Sequence, residues 1–272
     1  MEFIKMLCYF TLSMTTGHAA MASDPDILGL VPEIGYGLMA GYLHGEPTLN
    51  SAEFVPSPPK ENSARQLADS AASEALCGLK GSAPWDLAAK DADLHFPGAA
   101  SLFSCALGAT ISTEQTPALY RLLQRSLTDL VLATYPAKKA HQRPRPFLLS
   151  AESVCTPEKL ELLKTDGSYP SGQSSIGWGW ALTPSQLAPD RAEALLARGR
   201  DYATSRMVCN VHWMSDTEAG MALGAAAFAR LQNNALFKAT MSAARAELAS
   251  WQATPPNAER CEQEASVLAL SR

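Results

Sequence analysis

Apolar residues recur at intervals of three and four along most of the chain from residue 116 to residue 250. The clearest segment begins at Thr116-Pro117, an N-cap residue followed by a proline at the first helical position, and its apolar residues lie at positions 119, 122, 123, 127, 130 and 131. We expect this amphipathic helix to end before Pro136, and we expect further helices over residues 190–202, 216–231 and 234–250. No segment alternates apolar and polar residues for long enough to predict a strand. The pattern therefore predicts an all-α fold, a single-domain helical bundle.

The predicted helix over residues 216–231 differs from the others because glycine and alanine leave little side-chain bulk on any of its faces. Such a helix can approach its neighbours closely, and we expect it to be buried.

The first 22 residues have the features of a secretory signal peptide. Lys5 precedes an apolar stretch from Met6 to Met14, and Ala20-Met21-Ala22 matches the small-x-small pattern of a cleavage site. The apolar stretch is far shorter than the roughly 20 residues of a membrane-spanning helix. We therefore predict cleavage near Ala22 and export to an oxidising compartment, without a stable membrane anchor.

Three further segments follow the predicted signal peptide. Residues 23–62 are rich in proline and glycine and lack helical periodicity, which predicts an extended N-terminal arm. Residues 63–250 contain the helical patterns and form the predicted domain. Residues 251–272 are polar, and we expect a loose C-terminal tail.

The charge and cysteine content narrow the class of protein. The chain has 27 acidic and 22 basic residues, a formal net charge of −5, which is the wrong sign for binding nucleic acid through its phosphates.

Cysteines form disulfides in an oxidising compartment, and one or two disulfides with a free thiol are expected here, although spacing alone does not assign the partners. Beyond the predicted signal peptide the cysteines are Cys77, Cys105, Cys155, Cys209 and Cys261.

Three clusters contain residues suited to phosphate chemistry, and the first surrounds Lys138 and Arg145. These two cations are seven residues apart, about two helical turns, so both can lie on one face. Pro144 and Pro146 are expected to end the helix and hold Arg145 in an extended turn. From this cluster alone, a solvated basic helix end is an equally good interpretation.

The second cluster is the turn Pro170-Ser171-Gly172-Gln173, which opens a predicted helix. Backbone N–H groups and a hydroxyl at the positive end of a helix dipole form an anion site. Taken alone, an ordinary capped helix start is the better interpretation.

The third cluster contains Arg206, His212 and Asp216. His212 and Asp216 are four residues apart, so that on one helix face the carboxylate can orient one imidazole nitrogen. Arg206 would lie about 240° around the same helix from His212, so the chain must turn between them for both to meet one ligand. A structural His–Asp pair is an equally good interpretation of this cluster alone.

Together the clusters supply what phosphoryl transfer through a phosphohistidine needs, because guanidinium groups bind phosphate oxygens and preorganised cations stabilise the transferring group. Their spacing resembles the signature K-x6-RP, PSGH and SR-x5-H-x3-D of the type 2 phosphatidic acid phosphatase superfamily. The surroundings, from roughly Gly41 to Leu248, resemble the secreted class A bacterial non-specific acid phosphatases. The matching segments are residues 41–43, the Pro-rich stretch after them, and residues 88–94, 167–172 and 209–216.

The resemblance implies an all-α, periplasmic, often oligomeric phosphatase that needs no metal or cofactor and acts on small phosphorylated substrates. It implies that His212 is the nucleophile and that Asp216 orients it. A Cys155–Cys209 disulfide, flanking the second and third clusters, is our hypothesis for the pairing. The residues that the resemblance assigns to phosphate binding are Lys138, Arg145, Ser171, Gly172 and Arg206.

One position departs from the signature, because Gln173 stands where the family has a histidine that protonates the leaving oxygen. Glutamine has no titratable proton, and general acid catalysis is typically worth about 10² to 10⁴ in rate. We expect weakened activity that favours acidic phenols or anhydrides over alkyl phosphates. His141 is a less favoured substitute donor, and Thr183-Pro184 is expected to interrupt the helix that follows Gln173.

These departures leave two other functions open. The first is an impaired paralogue that binds inorganic phosphate or a phosphorylated ligand without turning it over, and Gln173 is the feature that favours it. The second is a vanadate-dependent haloperoxidase, since the superfamily pocket also hosts that chemistry, but the class A surroundings favour it least.

Overall fold

The computed structural model describes residues 26–35, 37–150, 152–250 and 254–270. The predicted signal peptide, residues 1–22, lies outside the described residues. The prediction of an all-α fold is confirmed, with one small antiparallel hairpin in the described chain as an exception that the sequence pattern did not predict. None of the described helices has both the length and the apolar composition of a membrane span.

The N-terminal part of the described chain is made of short elements. The hairpin pairs β1 (Glu33–Gly35) with β2 (Leu38–Met39), and 3₁₀-helical residues Gly98–Phe103 precede the fourth helix. The helices here are α1 (Ser51–Phe54), α2 (Ala64–Cys77), α3 (Ala83–Asp91) and α4 (Ser104–Leu107).

The helices that carry the core and the site follow. They are α5 (Pro117–Leu132), α6 (Tyr135–His141), α7 (Pro146–Leu149), α8 (Leu160–Thr165), α9 (Gly172–Leu187), α10 (Ala192–Val208), α11 (Met214–Leu231), α12 (Ala235–Ser250) and α13 (Ala258–Leu270). The helices expected from apolar periodicity correspond to α5, α10, α11 and α12.

Residues 39–43 of the arm lie against α5 and are held there by hydrogen bonds between α5 side chains and the arm backbone, whereas α1 of the arm packs against α6. The Asp129 carboxylate accepts the Tyr42 N–H at 2.7 Å and the Leu43 N–H at 3.1 Å. The Arg125 guanidinium donates to the carbonyls of Ala40 and Gly41. Side chains of α5 thus satisfy an irregular segment that pairs little of its own backbone.

The C-terminal tail is not loose, contrary to the expectation from its polar composition. It forms α13, which packs against α3 and is joined to the body by the Cys105–Cys261 disulfide. The Glu264 carboxylate of α13 also lies 3.2 Å from Nε of the buried Arg198. A polar helix is stabilised mainly by such tertiary contacts, which apolar periodicity does not reveal.

The expected interruption at Thr183-Pro184 is also wrong, because α9 continues to Leu187 with Pro184 inside its last turn. A proline this close to a helix end removes one backbone hydrogen bond and leaves few residues beyond it to disturb. The Thr183 hydroxyl donates to the Gly179 carbonyl at 2.9 Å and supports this turn.

Helix α9 lies at the centre of the bundle, where it packs against α5, α10 and α11. Its Trp180 is fully buried and donates its indole N–H to the Leu123 carbonyl of α5 at 3.0 Å. The expected close approach of the small-residue helix is confirmed, because a methyl group added at Gly220 or Gly224 of α11 would collide with the α9 backbone at Ser171 or Ser175. The two helices therefore touch backbone to backbone beside the turn that opens α9.

We expect Gly224→Ala to lower the free energy of unfolding by about 1–3 kcal/mol, because the added methyl must push α11 away from the Ser175 carbonyl. The better helix propensity of alanine, at most about 1 kcal/mol, opposes part of this loss. Urea unfolding followed by circular dichroism measures the change.

The matched control is Gly78→Ala, at a position with helical backbone angles and open space around the missing Cβ. It should leave stability unchanged or raise it by up to about 1 kcal/mol. Wild-type stability of Gly224→Ala would contradict the close packing of α9 on α11.

Candidate active site

Lys138 and Arg145 are brought together by the end of α6 and the segment after it. The helix stops where Gln142 adopts a left-handed conformation, φ 43°, and Arg145 is extended at φ −76° and ψ 155°. Both cations are buried, with 4% and 2% of their surface exposed. The expected extended turn between two prolines is therefore confirmed, and the alternative of a solvated basic helix end is excluded.

The Arg145 guanidinium links α8 to the third cluster. Its Nε donates to the carbonyls of Leu163 and Asp166, and its Nη1 donates to the Val211 carbonyl at 3.0 Å. The same Nη1 lies 3.1 Å from Nε2 of His212. These contacts fix one face of the guanidinium against the imidazole.

Ser171 is the N-cap of α9, as the second cluster predicts. Its Oγ accepts the Ser174 N–H at 3.2 Å, and its own N–H donates to the Asp216 carbonyl at 2.9 Å. Ser171 is fully buried and its side chain caps the helix start, whereas Gly172 and Gln173 are the residues of this turn that border the open cavity.

His212 and Asp216 meet as expected, but not on one helical face. Helix α10 ends at Val208 and α11 begins at Met214, so His212 lies in the turn between them while Asp216 lies in the first turn of α11. The Asp216 carboxylate accepts the Trp213 N–H at 2.9 Å, which caps the start of α11 and fixes the orientation of the carboxylate. His212 Nδ1 lies 3.5 Å from Oδ2 of Asp216, an ion-pair distance longer than an ordinary hydrogen bond.

The neighbours of His212 determine which ring nitrogen carries the proton. A guanidinium has only N–H donors, so the Nε2 atom that faces Arg145 must present its lone pair. The proton of the neutral ring then lies on Nδ1, which faces the Asp216 carboxylate. The Nε2 lone pair of His212 thus lies on the side of the cations, where it accepts the Arg145 N–H.

Arg206 is fully buried and reaches the site through Gln173. Its Nη1 donates to the Gln173 Oε1 at 3.2 Å, and its Nη2 donates to the Ala88 carbonyl and to the Ser205 hydroxyl. The Gln173 Nε2 donates to the Ala92 carbonyl at 3.2 Å. Gln173 therefore stands between the guanidinium of Arg206 and the cavity.

A cavity of about 500 Å³ brings most of the predicted residues together. Five of them border it: Lys138, Arg145, Gly172, Gln173 and His212. Ser171 and Arg206 do not border the cavity and lie behind its wall. Much of the remaining wall is apolar, formed by Leu38, Met39, Leu94, Phe96, Leu127, Val131, Tyr135, Leu162, Leu163 and Ile176.

Two other expectations concern residues near the cavity. His141 is not among the residues that border it, and its ring packs edge-on against Tyr169 with centroids 5.6 Å apart. The hypothesis of a Cys155–Cys209 disulfide is confirmed, with the two Cα atoms 4.8 Å apart. This bond ties the segment after α7 to the turn that carries His212.

Known proteins of similar sequence show the family of this chain. Residues 119–237 match the model of the PAP2 superfamily, and the chain is 39% identical over 204 residues to a non-specific acid phosphatase of Salmonella typhimurium, an alignment that covers 75% of this chain and 82% of the relative. An acid phosphatase of Zymomonas mobilis is 37% identical over 76% of this chain and 77% of its own length. A non-specific acid phosphatase of Providencia stuartii is 35% identical over 76% of this chain and 84% of its own length.

The chain belongs to the acid phosphatases of the PAP2 superfamily. This confirms the family and the enzyme class predicted from the three clusters, a phosphoric monoester hydrolase. Within the described parts of this acid phosphatase, no three His, Cys, Asp or Glu side chains converge to hold a metal ion.

Two residues that support Asp216 on the side away from His212 were not predicted from the sequence. Arg143 Nη1 donates to Oδ1 of Asp216 at 2.6 Å, and Arg143 Nη2 donates to Oδ2 of Asp69 at 2.7 Å. Asp69 also accepts the N–H and hydroxyl of Ser215. Arg143 lies inside the first cluster, and that position could have indicated a role at the site. Nothing near Asp69 in the sequence connects it to residues more than seventy positions away.

Burial shifts the pKa of two groups that border the cavity, His212 and Lys138. Burial and the positive charge of Arg145 lower the pKa of His212 to about 3, although Asp216 opposes the shift. Burial and Arg145 likewise lower the pKa of Lys138 to about 8 against the opposing charges of Asp166 and Asp216. At mildly acid pH the imidazole is therefore neutral while Lys138 is a cation.

We expect the His212 ring to stay neutral from about pH 8 down to about pH 4, well below the ordinary transition near pH 6.5. Because the unfolded chain takes up this proton first, the shift also lowers stability as the pH falls from about 6.5 toward about 3. An NMR titration of protein with isotopically labelled histidine, with the His212→Ala variant for assignment, measures the transition. A midpoint near pH 6.5 would contradict the desolvated site.

Proposed function

We propose that this acid phosphatase hydrolyses phosphate monoesters through a phosphohistidine on His212. The observation that carries the proposal is the position of the buried His212 on the wall of the shared cavity, with its Nε2 atom 3.1 Å from the Arg145 guanidinium. A nucleophile beside preorganised cations is what transfer of a negatively charged phosphoryl group needs.

In the first step, the hydrogen bond from Arg145 Nη1 to His212 Nε2 breaks and the freed lone pair attacks phosphorus. A P–N bond forms and the P–O bond to the alcohol breaks. Lys138, Arg145 and the N–H groups at the start of α9 bind the phosphoryl oxygens, and Arg206 adds positive charge from behind Gln173. The ring becomes positively charged, and Asp216 stabilises its Nδ1–H. In the second step, water attacks phosphorus, the P–N bond breaks and inorganic phosphate is released.

Gln173 makes departure of the alcohol the difficult part of this reaction. Its amide has no proton to transfer at any ordinary pH, so the leaving oxygen must depart as a weakly basic anion or be protonated by water. Phenolate meets this requirement better than alkoxide. The apolar cavity wall, with Leu94, Phe96 and Ile176, also suits an aromatic leaving group.

The proposed location is the periplasm, reached through the signal peptide expected at residues 1–22. The Cys105–Cys261 and Cys155–Cys209 disulfides support export, because such bonds persist in oxidising compartments.

The second candidate function is a catalytically impaired paralogue that binds phosphate or phosphorylated ligands. The observation that favours it is the amide of Gln173, which is hydrogen-bonded at both ends and sits where the family donates a proton.

Turnover of p-nitrophenyl phosphate by purified protein at mildly acid pH separates the two functions. We expect His212→Ala to reduce kcat by about 10³-fold or more, since the nucleophile is lost. The control is His95→Ala, which removes an exposed histidine at the border of the same cavity and should keep most of the activity. Equal rates for wild type and His212→Ala would favour the binding protein.

We expect Gln173→His to raise turnover of an alkyl phosphate by at least about tenfold, since it restores a general acid, and to raise turnover of p-nitrophenyl phosphate much less. Comparison of kcat for the two substrates in wild type and variant measures this difference.

The matched control for this substitution is Gln124→His, which adds a histidine to the same cavity from α5, where Gln124 contacts Arg121. It should leave the ratio of the two substrates unchanged. An unaltered rate on the alkyl phosphate in Gln173→His would refute the role assigned to this position.

A further inference from the structure

The two cations that border the cavity share a carboxylate of this chain. Asp166, which follows α8, places Oδ2 at 2.9 Å from Arg145 Nη2 and 3.5 Å from Lys138 Nζ. Its side chain is 36% exposed and borders the same cavity. One oxygen anion thus bridges the pair of donors that the proposed function assigns to phosphate.

The N–H donors of Arg145 are engaged by the protein. Besides Asp166, Arg145 donates to the carbonyls of Leu163, Val211 and Gly167 and contacts His212, so its N–H groups have acceptors on every side. The ammonium of Lys138 has three N–H donors; it donates to the Gly167 carbonyl and faces Asp166. A phosphoryl oxygen that binds Arg145 must therefore take the place of an acceptor that is already there, and Asp166 is the side-chain acceptor that Arg145 shares with Lys138.

Among these acceptors, the Asp166 carboxylate is the one that can leave at low cost. The carbonyl oxygens belong to the backbone and move only with the chain, and His212 Nε2 gives up its contact with Arg145 only when it attacks phosphorus, after the substrate has bound. The carboxylate is at the end of a short side chain that is 36% exposed, so water can solvate it when it releases the cations.

We propose that Asp166 is an internal competitor for the phosphate site: its carboxylate and a phosphoryl group bind Arg145 and Lys138 in turn. The inference rests on the proposed function, because it takes these two cations as the phosphate-binding residues. Asp166 then weakens the binding of substrate and of inorganic phosphate alike and helps the product to leave.

A positioning role for Asp166 makes the opposite prediction. If the carboxylate were needed to hold Arg145 in place, its removal would weaken phosphate binding. The backbone acceptors of Arg145 around the guanidinium, the carbonyls of Leu163, Val211 and Asp166 itself, remain in an Asp166 variant. The sign of the change in phosphate affinity therefore distinguishes the two roles.

The test is calorimetric titration of the full chain with inorganic phosphate. We expect Asp166→Asn, which keeps the shape and removes the charge, to lower the Kd for phosphate by about twofold to tenfold, and Asp166→Ala to change it in the same direction. Glu161→Gln is the control, because it removes the same charge from an exposed position on α8 whose partner is Lys164. It should leave the Kd unchanged.

An unchanged or raised Kd in both folded Asp166 variants, or no phosphate binding in wild type and variants alike, would overturn the inference. Failure of the proposed function has a different signature, namely equal turnover of p-nitrophenyl phosphate by wild type and His212→Ala. A lower Kd in the Asp166 variants together with that result would retain Asp166 as a competitor in a phosphate-binding protein.

Discussion

The arrangement of the site depends on the contacts of Asp216. Its buried carboxylate accepts the Trp213 N–H and an N–H of the Arg143 guanidinium, and it faces His212. The backbone carbonyl of Asp216 accepts the N–H of Ser171. Burial alone would raise the pKa of this carboxyl, but His212, Arg143 and the Trp213 N–H lower it below its ordinary value. A buried charge is tolerated only with such partners, so this residue joins all three clusters.

The cations beside it show how the site is prepared for an anion. Burial lowers the pKa of Lys138, Arg145 and Arg206, which means that each of these charges has been removed from water at a cost in free energy. Carbonyl dipoles repay part of that cost. A phosphoryl group with several negative oxygens offsets more of it, and because the donors are held by backbone, little rearrangement is needed when charge develops during transfer.

The sequence predicted those parts of the molecule that depend on local chemistry. Apolar periodicity predicted α5, and the two prolines around Arg145 predicted its extended turn. His212 and Asp216 were paired correctly, although the contact arises from a helix cap rather than from one helical face. The ion pair of Arg143 with Asp69 and the docking of α13 through Glu264 and a disulfide were not predictable, because both depend on contacts between segments distant in sequence.

The residue at position 173 contacts the Arg206 guanidinium, so the charge of Arg206 affects which side chain can stand there. The glutamine accepts from Arg206 and donates to the Ala92 carbonyl, so it satisfies a buried cation and α3 at once and stays neutral at every pH. A neutral imidazole can also accept once and donate once, but a protonated imidazole has only donors and would face the guanidinium as a second cation. We therefore infer that in the proposed reaction a fixed neutral bridge takes the place of a general acid. Such a bridge would favour substrates whose oxygen leaves without a proton.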